Sequence, residues 1–121
     1  MPKKILLIED EEPMRIVLKN MLEKEGHDVL EANNGKVGMS LYRENGADLV
    51  ITDILMPEKE GFETIRELKQ ENPNVKIIAI SGGGAIGPEE YLSIAKRLGV
   101  HRTFEKPFNR EEILEAVNEL L

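Results

Sequence analysis

The sequence contains no cysteine, which excludes disulfide frameworks, thiolate catalysis and zinc sites built on thiolates. Tryptophan is also absent and only 4% of the residues are aromatic, so the core is expected to consist of aliphatic residues, methionine and alanine. No stretch approaches the roughly 20 apolar residues of a membrane span. A basic excess is missing too. The net charge is -7, which argues against direct binding to nucleic acid or to an anionic membrane.

The length of 121 residues suits one domain with its own core, and we expect residues 1–121 to form that single domain. Hydrophobic residues make up 40% of the chain and charged residues 32%, as in ordinary globular proteins. Near the start, two lysines precede a short apolar run that ends in acids. This pattern is too short and too acidic for a signal peptide, so we expect a cytoplasmic protein.

Apolar runs and helical patterns alternate five times along the chain. The apolar runs predict strands at residues 5–8, 27–31, 49–51, 76–80 and 101–104. Helical spacing predicts helices at residues 13–26, 35–45, 62–72, 88–99 and 109–121. Such alternation is typical of an α/β fold, in which right-handed crossovers place helices on both faces of a parallel sheet.

Two of the predicted helices have signals at their amino ends. Asn109 with Glu112 three residues later predicts a capping box for the last helix. Four consecutive acids, at residues 9–12, follow the first strand. For Glu11 and Glu12 the simpler interpretation is a solvated turn, because the macrodipole favours negative charge at the start of the next helix.

Polar side chains stand at the ends of four predicted strands. Glu9 and Asp10 follow the first strand, and Asp53 lies at the carboxyl end of the third. Ser81 and Lys106 follow the fourth and fifth strands. Because the carboxyl ends of parallel strands share one edge, where ligands bind in open α/β sheets, we expect these side chains to lie together.

The residue types at this edge indicate phosphoryl chemistry. Neighbouring carboxylates repel one another unless a cation is present, and oxygen ligands without histidine or cysteine suit Mg²⁺. Lys106 and Ser81 would hold phosphoryl oxygens while a carboxylate oxygen of Asp53 attacks phosphorus. Taken singly, each residue has a plainer explanation: a turn cap, a loop hydrogen bond or a surface ion pair. Their joint placement favours an aspartyl phosphate on Asp53.

Four segments, in this order, resemble the receiver domain of two-component response regulators: ILLIEDEEP, DLVITDILMPEKEG, IIAISGG and FEKPF. The resemblance covers the whole chain. It implies a flavodoxin-like fold of five strand–helix units, a doubly wound parallel sheet with the strand order 2-1-3-4-5. It also implies a cis peptide bond between Lys106 and Pro107.

The resemblance assigns roles to the residues at the sheet edge. Asp53 would accept phosphate from a histidine kinase or a phosphotransfer protein, and Ser81 and Lys106 would bind the phosphoryl oxygens. Four residues would hold Mg²⁺, with Glu9 acting mainly through water: Glu9, Asp10, Asp53 and the backbone carbonyl of Leu55.

One position departs from the family's usual pattern. The family often has an aromatic residue three places before the lysine, whose ring turns inward when the site is phosphorylated. Here that position is Thr103, and Phe104 is expected on the opposite face of the sheet. We therefore expect the signal to leave through the loop after Ser81 and the fourth helix.

The expected function is that of a stand-alone receiver, a signalling domain that catalyses only its own phosphorylation and dephosphorylation. The downstream protein target would bind residues 88–121, the fourth helix, fifth strand and fifth helix, and the protein would be a monomer or a weak dimer. Two alternatives stay open, a constitutive protein-binding scaffold and an aspartyl-phosphate phosphatase. An FMN protein is disfavoured because the acids after the first strand would repel its phosphate.

Overall fold

The computed structural model describes residues 3–54, 60–81 and 88–121. The strands are β1 (Lys4–Ile8), β2 (Asp28–Ala32), β3 (Leu49–Asp53), β4 (Ile77–Ser81) and β5 (Arg102–Glu105). The helices are α1 (Glu12–Lys24), α2 (Gly35–Asn45), α3 (Glu60–Glu71), α4 (Pro88–Arg97) and α5 (Arg110–Leu120). The five predicted strand–helix pairs are confirmed.

The strands form one parallel sheet in the order β2-β1-β3-β4-β5. One hydrophobic cluster lies between the sheet and α2, α3 and α4, and a second lies between the sheet and α1 and α5. The predicted doubly wound, flavodoxin-like architecture with the strand order 2-1-3-4-5 is therefore confirmed.

The two layers explain why the central strands are continuously apolar. Every residue of β3 and β4 is buried, as expected for strands covered by helices on both faces. Within β3, Leu49 and Ile51 pack in the layer under α1 and α5, whereas Val50 packs in the layer under α2, α3 and α4. At the sheet edge, β2 is only partly buried.

The structure corrects two details of the predicted helices. α1 begins at Glu12, one residue before Pro13. Helical spacing in the sequence predicts Val37, Leu41 and Tyr42 as the apolar face of α2. The helix instead buries Gly38, Met39 and Tyr42 and leaves Val37 exposed, because the glycine lets this side of the helix approach β1 closely.

The amino ends of two helices are capped by asparagine. The predicted cap of α5 is confirmed, since the Asn109 side chain accepts hydrogen bonds from the amides of Glu111 and Glu112. Asn34 caps α2 in the same way by accepting from the Val37 amide at 2.8 Å. These caps satisfy backbone donors that have no partner within the helix.

Gly38 is expected to be intolerant of a methyl group. A β-carbon at this position would lie 2.5 Å from Cδ1 and 2.8 Å from Cγ1 of Ile8, which is fully buried. Alanine favours a helix over glycine by about 1 kcal/mol, but overpacking a core costs about 1–3 kcal/mol. Gly38→Ala should therefore lower the free energy of unfolding, measured by urea denaturation, by about 1 kcal/mol.

The matched control is Ile8→Val, which removes Cδ1. Alone it should cost about 0.5–1.5 kcal/mol, as such truncations usually do. In the double variant with Gly38→Ala the missing methyl group makes room for the new one, so the double variant should be at least as stable as Gly38→Ala alone. Simple addition of the two losses would contradict the steric explanation.

Candidate functional site

Three acidic side chains meet at the carboxyl edge of the sheet. Because Ile8 of β1 lies opposite Thr52 of β3, the next residues of both strands reach the same place. One carboxylate oxygen from each of Glu9, Asp10 and Asp53 lies within 4.8 Å of the others. Glu9 and Asp53 are buried, whereas Asp10 is exposed. A cluster of oxygen donors that is open to solvent on one side suits a hard cation that keeps several waters, such as Mg²⁺.

Lys106 extends its ammonium group into this cluster. Its Nζ lies 2.8 Å from Oδ2 of Asp53, 2.9 Å from Oε1 of Glu9 and 3.0 Å from Oε1 of Glu11. Only 12% of the lysine side chain is exposed. The predicted convergence of the lysine with the acids is therefore present in the structure.

The backbone around Lys106 fixes where the side chain starts. Its amide donates a hydrogen bond to the carbonyl of Ser81 at 2.8 Å, directly after the last paired residues of β4 and β5. The peptide bond between Lys106 and Pro107 is cis, as predicted.

Burial and neighbouring charges change the protonation of the site. Burial raises the pKa of Glu9 to about 8, and the Asp53 carboxylate contributes in the same direction. The Lys106 ammonium, 2.9 Å from Oε1 of Glu9, and the Glu11 amide oppose this rise in pKa without cancelling it. Burial alone would lower the pKa of Lys106, but its ionic contacts outweigh burial and raise that pKa above its usual value.

Ser81 ends β4 next to Ile80, which pairs with Asp53. The serine is fully buried, and within the described part of the chain its Oγ has no hydrogen-bond partner. A buried hydroxyl without a partner costs about 1–3 kcal/mol, so such a group is retained where it has a ligand to bind. A hydroxyl donor at the end of the strand that pairs with Asp53 is suited to the oxygens of an anion.

The structure thus brings together four of the residues predicted for the site and places Ser81 at the end of the adjoining strand. Leu55, whose carbonyl was predicted to bind Mg²⁺, lies outside the described residues. The chemical roles of all these residues stay predictions at this point.

Glu11 lies in an exposed position at the amino end of α1, as the sequence indicated, but its contact with Lys106 was not predicted. Its backbone forms the amino cap of α1, but its side chain makes no capping hydrogen bond and contacts Lys106 instead. No sequence signal distinguished it from Glu12, because both belong to the same run of acids.

Arg15 is a second residue near the site that sequence reasoning missed. Its guanidinium donates a hydrogen bond to the carbonyl of Glu9 at 3.0 Å and lies 3.5 Å from a carboxylate oxygen of Glu31. This pair depends on the position of β2 beside β1, which the spacing of charges along the chain does not show.

Thr103 and Phe104 lie on opposite faces of the sheet, as predicted. Thr103 lies beside Ala79, whose side chain belongs to the layer under α2, α3 and α4. Phe104 lies beside Ile80, and both belong to the layer under α1 and α5.

None of the described helices combines the length and the apolar character needed to cross a bilayer.

Comparison with known proteins identifies the family. Residues 5–118 match the response regulator receiver domain. The chemotaxis protein CheY of Thermotoga maritima is 36% identical over 121 residues, which cover 99% of this chain and 98% of the relative. Sporulation initiation phosphotransferase F of Bacillus subtilis is 31% identical, with 100% of this chain and 95% of the relative covered.

Solved structures agree with this result. A response regulator receiver domain protein from Clostridium thermocellum superimposes with a TM-score of 0.89 at 31% identity, covering 98% of this chain and 93% of that one. With the fold, the acidic cluster and the buried lysine in place, these similarities show that the chain belongs to the response regulator receiver domain family.

Proposed function

We propose that this protein is a phosphorylation-dependent signalling receiver that accepts a phosphoryl group on Asp53 from a histidine kinase or a phosphotransfer protein. The observation that carries the proposal is the buried Asp53 carboxylate, which lies 2.8 Å from the Lys106 ammonium beside two further acids. The names of the two relatives, a chemotaxis protein and a sporulation phosphotransferase, support a role in signal transfer.

In the proposed step, a carboxylate oxygen of Asp53 attacks the phosphorus of a phosphohistidine. A P–O bond forms while the P–N bond of the donor breaks, and the imidazole leaves with the electron pair and takes up a proton. The Lys106 ammonium and the Ser81 hydroxyl donate hydrogen bonds to phosphoryl oxygens, where negative charge is concentrated. Glu9, Asp10 and Asp53 would hold Mg²⁺, whose positive charge would reduce repulsion between the acids and the phosphate.

The protein acts as a signalling domain that catalyses only its own phosphorylation and dephosphorylation. Its output is proposed to be protein binding through the face formed by α4, β5 and α5, or transfer of the phosphate to another protein. In support, Ile94 of α4 is a 39% exposed hydrophobic residue, and Arg102 of β5 pairs with Glu119 of α5 at 2.7 Å on this side of the molecule. The net charge disfavours nucleic acid as the direct partner.

The test is incubation with Mg²⁺ and acetyl phosphate, followed by intact mass spectrometry. The wild-type protein should gain one phosphoryl group, and Asp53→Asn should gain none because the amide is not a nucleophile for phosphorus. Asp28→Asn is the matched control, since Asp28 is an exposed acid at the start of the edge strand β2, and this variant should be phosphorylated like the wild type.

The alternatives give different results in the same experiment. A scaffold that never uses its site would remain unmodified in the wild-type form. A phosphatase would release inorganic phosphate in many turnovers and keep no adduct. Either result would contradict the proposed function.

A further inference from the structure

The Lys106 ammonium has three carboxylates around it before any phosphate arrives. An ammonium group has three N–H donors, and three carboxylates lie within 3.0 Å of Nζ, those of Asp53, Glu9 and Glu11. Lys106 Nζ donates hydrogen bonds to Glu11 and Asp53 and forms an ion pair with Glu9, so a phosphoryl oxygen that binds Lys106 competes with these carboxylates.

The three carboxylates differ in how easily they can leave. Glu9 and Asp53 are buried and belong to the cation cluster, so water cannot replace the lysine as their partner. The Glu11 side chain is 64% exposed. Its carboxylate is therefore the one that water can solvate after it leaves Lys106.

The position of Glu11 supports a specific contact with Lys106. Its amide donates a hydrogen bond to Oε2 of Glu9 at 3.2 Å, which holds its backbone beside the cluster. Residues at an amino cap commonly use their side chain to accept a hydrogen bond from the helix, but that of Glu11 makes no such bond and contacts the lysine.

We propose that Glu11 is a positioning residue that holds Lys106 in the resting site and is displaced when a phosphoryl oxygen binds the ammonium. The inference rests on the proposed function and adds that the Glu11 carboxylate competes with the phosphoryl group for the Lys106 ammonium. Because the Glu11 contact exists only in the resting state, removing it should favour the phosphoryl-bound state. Removing a competing exposed ion pair of this kind is expected to raise the affinity for a phosphoryl group by about two- to fivefold.

The experiment measures the affinity for beryllofluoride, a stable mimic of a phosphoryl group, by calorimetry in saturating Mg²⁺. Glu11→Gln should bind it about two- to fivefold more tightly than the wild type. Glu11→Asp keeps the charge but shortens the side chain by one methylene, which is expected to break the 3.0 Å contact with Lys106, so it should tighten binding as well. Glu12→Gln, which removes the same charge at the next residue, should change the affinity by less than Glu11→Gln. Mg²⁺ affinity and the thermal midpoint without ligand serve as controls for structural damage.

Three results would overturn the inference. Wild-type affinity in Glu11→Asp would show that charge acts without the contact, and equal effects of Glu11→Gln and Glu12→Gln would show long-range repulsion. Weaker binding by Glu11→Gln would show that Glu11 assists the phosphoryl group. Failure of the wild-type protein to bind beryllofluoride at all would instead overturn the proposed function.

Discussion

Lys106→Met is expected to remove most of the affinity for beryllofluoride and to destabilise the Mg²⁺-free protein by about 3 kcal/mol at about pH 8. The substitution leaves the buried carboxylates of Glu9 and Asp53 without their cation, and the loss of one partner from a buried ion pair is costly. The measurement is urea denaturation of wild type and variant, without Mg²⁺, at about pH 8 and about pH 5.

The destabilisation by Lys106→Met should shrink at the lower pH. There Glu9, whose pKa is raised to about 8, is neutral, so less unpaired charge is buried. Mg²⁺ should likewise stabilise the variant more than the wild type. Lys96→Met removes an exposed lysine from α4 and should change stability by no more than about 0.5 kcal/mol. An equal loss in both lysine variants, or a loss that does not depend on pH, would contradict the role of Lys106 as the counter-ion of the cluster.

The fold was predictable from the sequence because burial on both faces of a parallel sheet leaves an unmistakable pattern. The first three residues of β3 and the first four of β4 are all apolar and buried, so these strands have no polar face. The same rule located the site, since Asp53 and Ser81 are the last residues of these two strands. Because the carboxyl ends of parallel strands lie at one edge of the sheet, the prediction of the fold also predicted the location of the site.

The individual contacts within the site were not predictable in this way. Four consecutive acids follow β1, and their order along the chain does not show that Glu11 reaches Lys106, 95 residues away. That choice depends on the path of the backbone between β1 and α1 and on one side-chain conformation. Similarly, Val37 was assigned to the buried face of α2 because hydrophobicity favoured it, whereas the close approach of Gly38 to Ile8 decides which face is buried.

Glu9 also makes the Mg²⁺-free protein sensitive to pH. Its pKa is raised from 4.5 to about 8 by burial first and by the Asp53 charge second. Between these two values the folded protein retains a proton that the unfolded chain releases. The contribution of this group to stability is therefore complete below pH 4.5 and is lost as the pH rises through about 8. Glu9→Gln, which cannot titrate, should flatten this part of the stability profile.

Mg²⁺ affinity should show the opposite trend and rise with pH. A cation in the cluster favours the charged form of Glu9, so binding of Mg²⁺ releases the proton that the folded protein holds below about pH 8. Release of one proton predicts an affinity that increases about tenfold per pH unit from about pH 6 until it levels off near the pKa of Glu9.

Calorimetric titration with Mg²⁺ in buffers of different ionisation enthalpy measures both the affinity and the number of protons released. Glu9→Gln should bind Mg²⁺ more weakly at about pH 8 and lose the pH dependence, whereas Glu12→Gln should retain it. A wild-type affinity that stays constant across this range would show that Glu9 is already ionised without the metal, and that the Lys106 ammonium outweighs burial at this carboxylate.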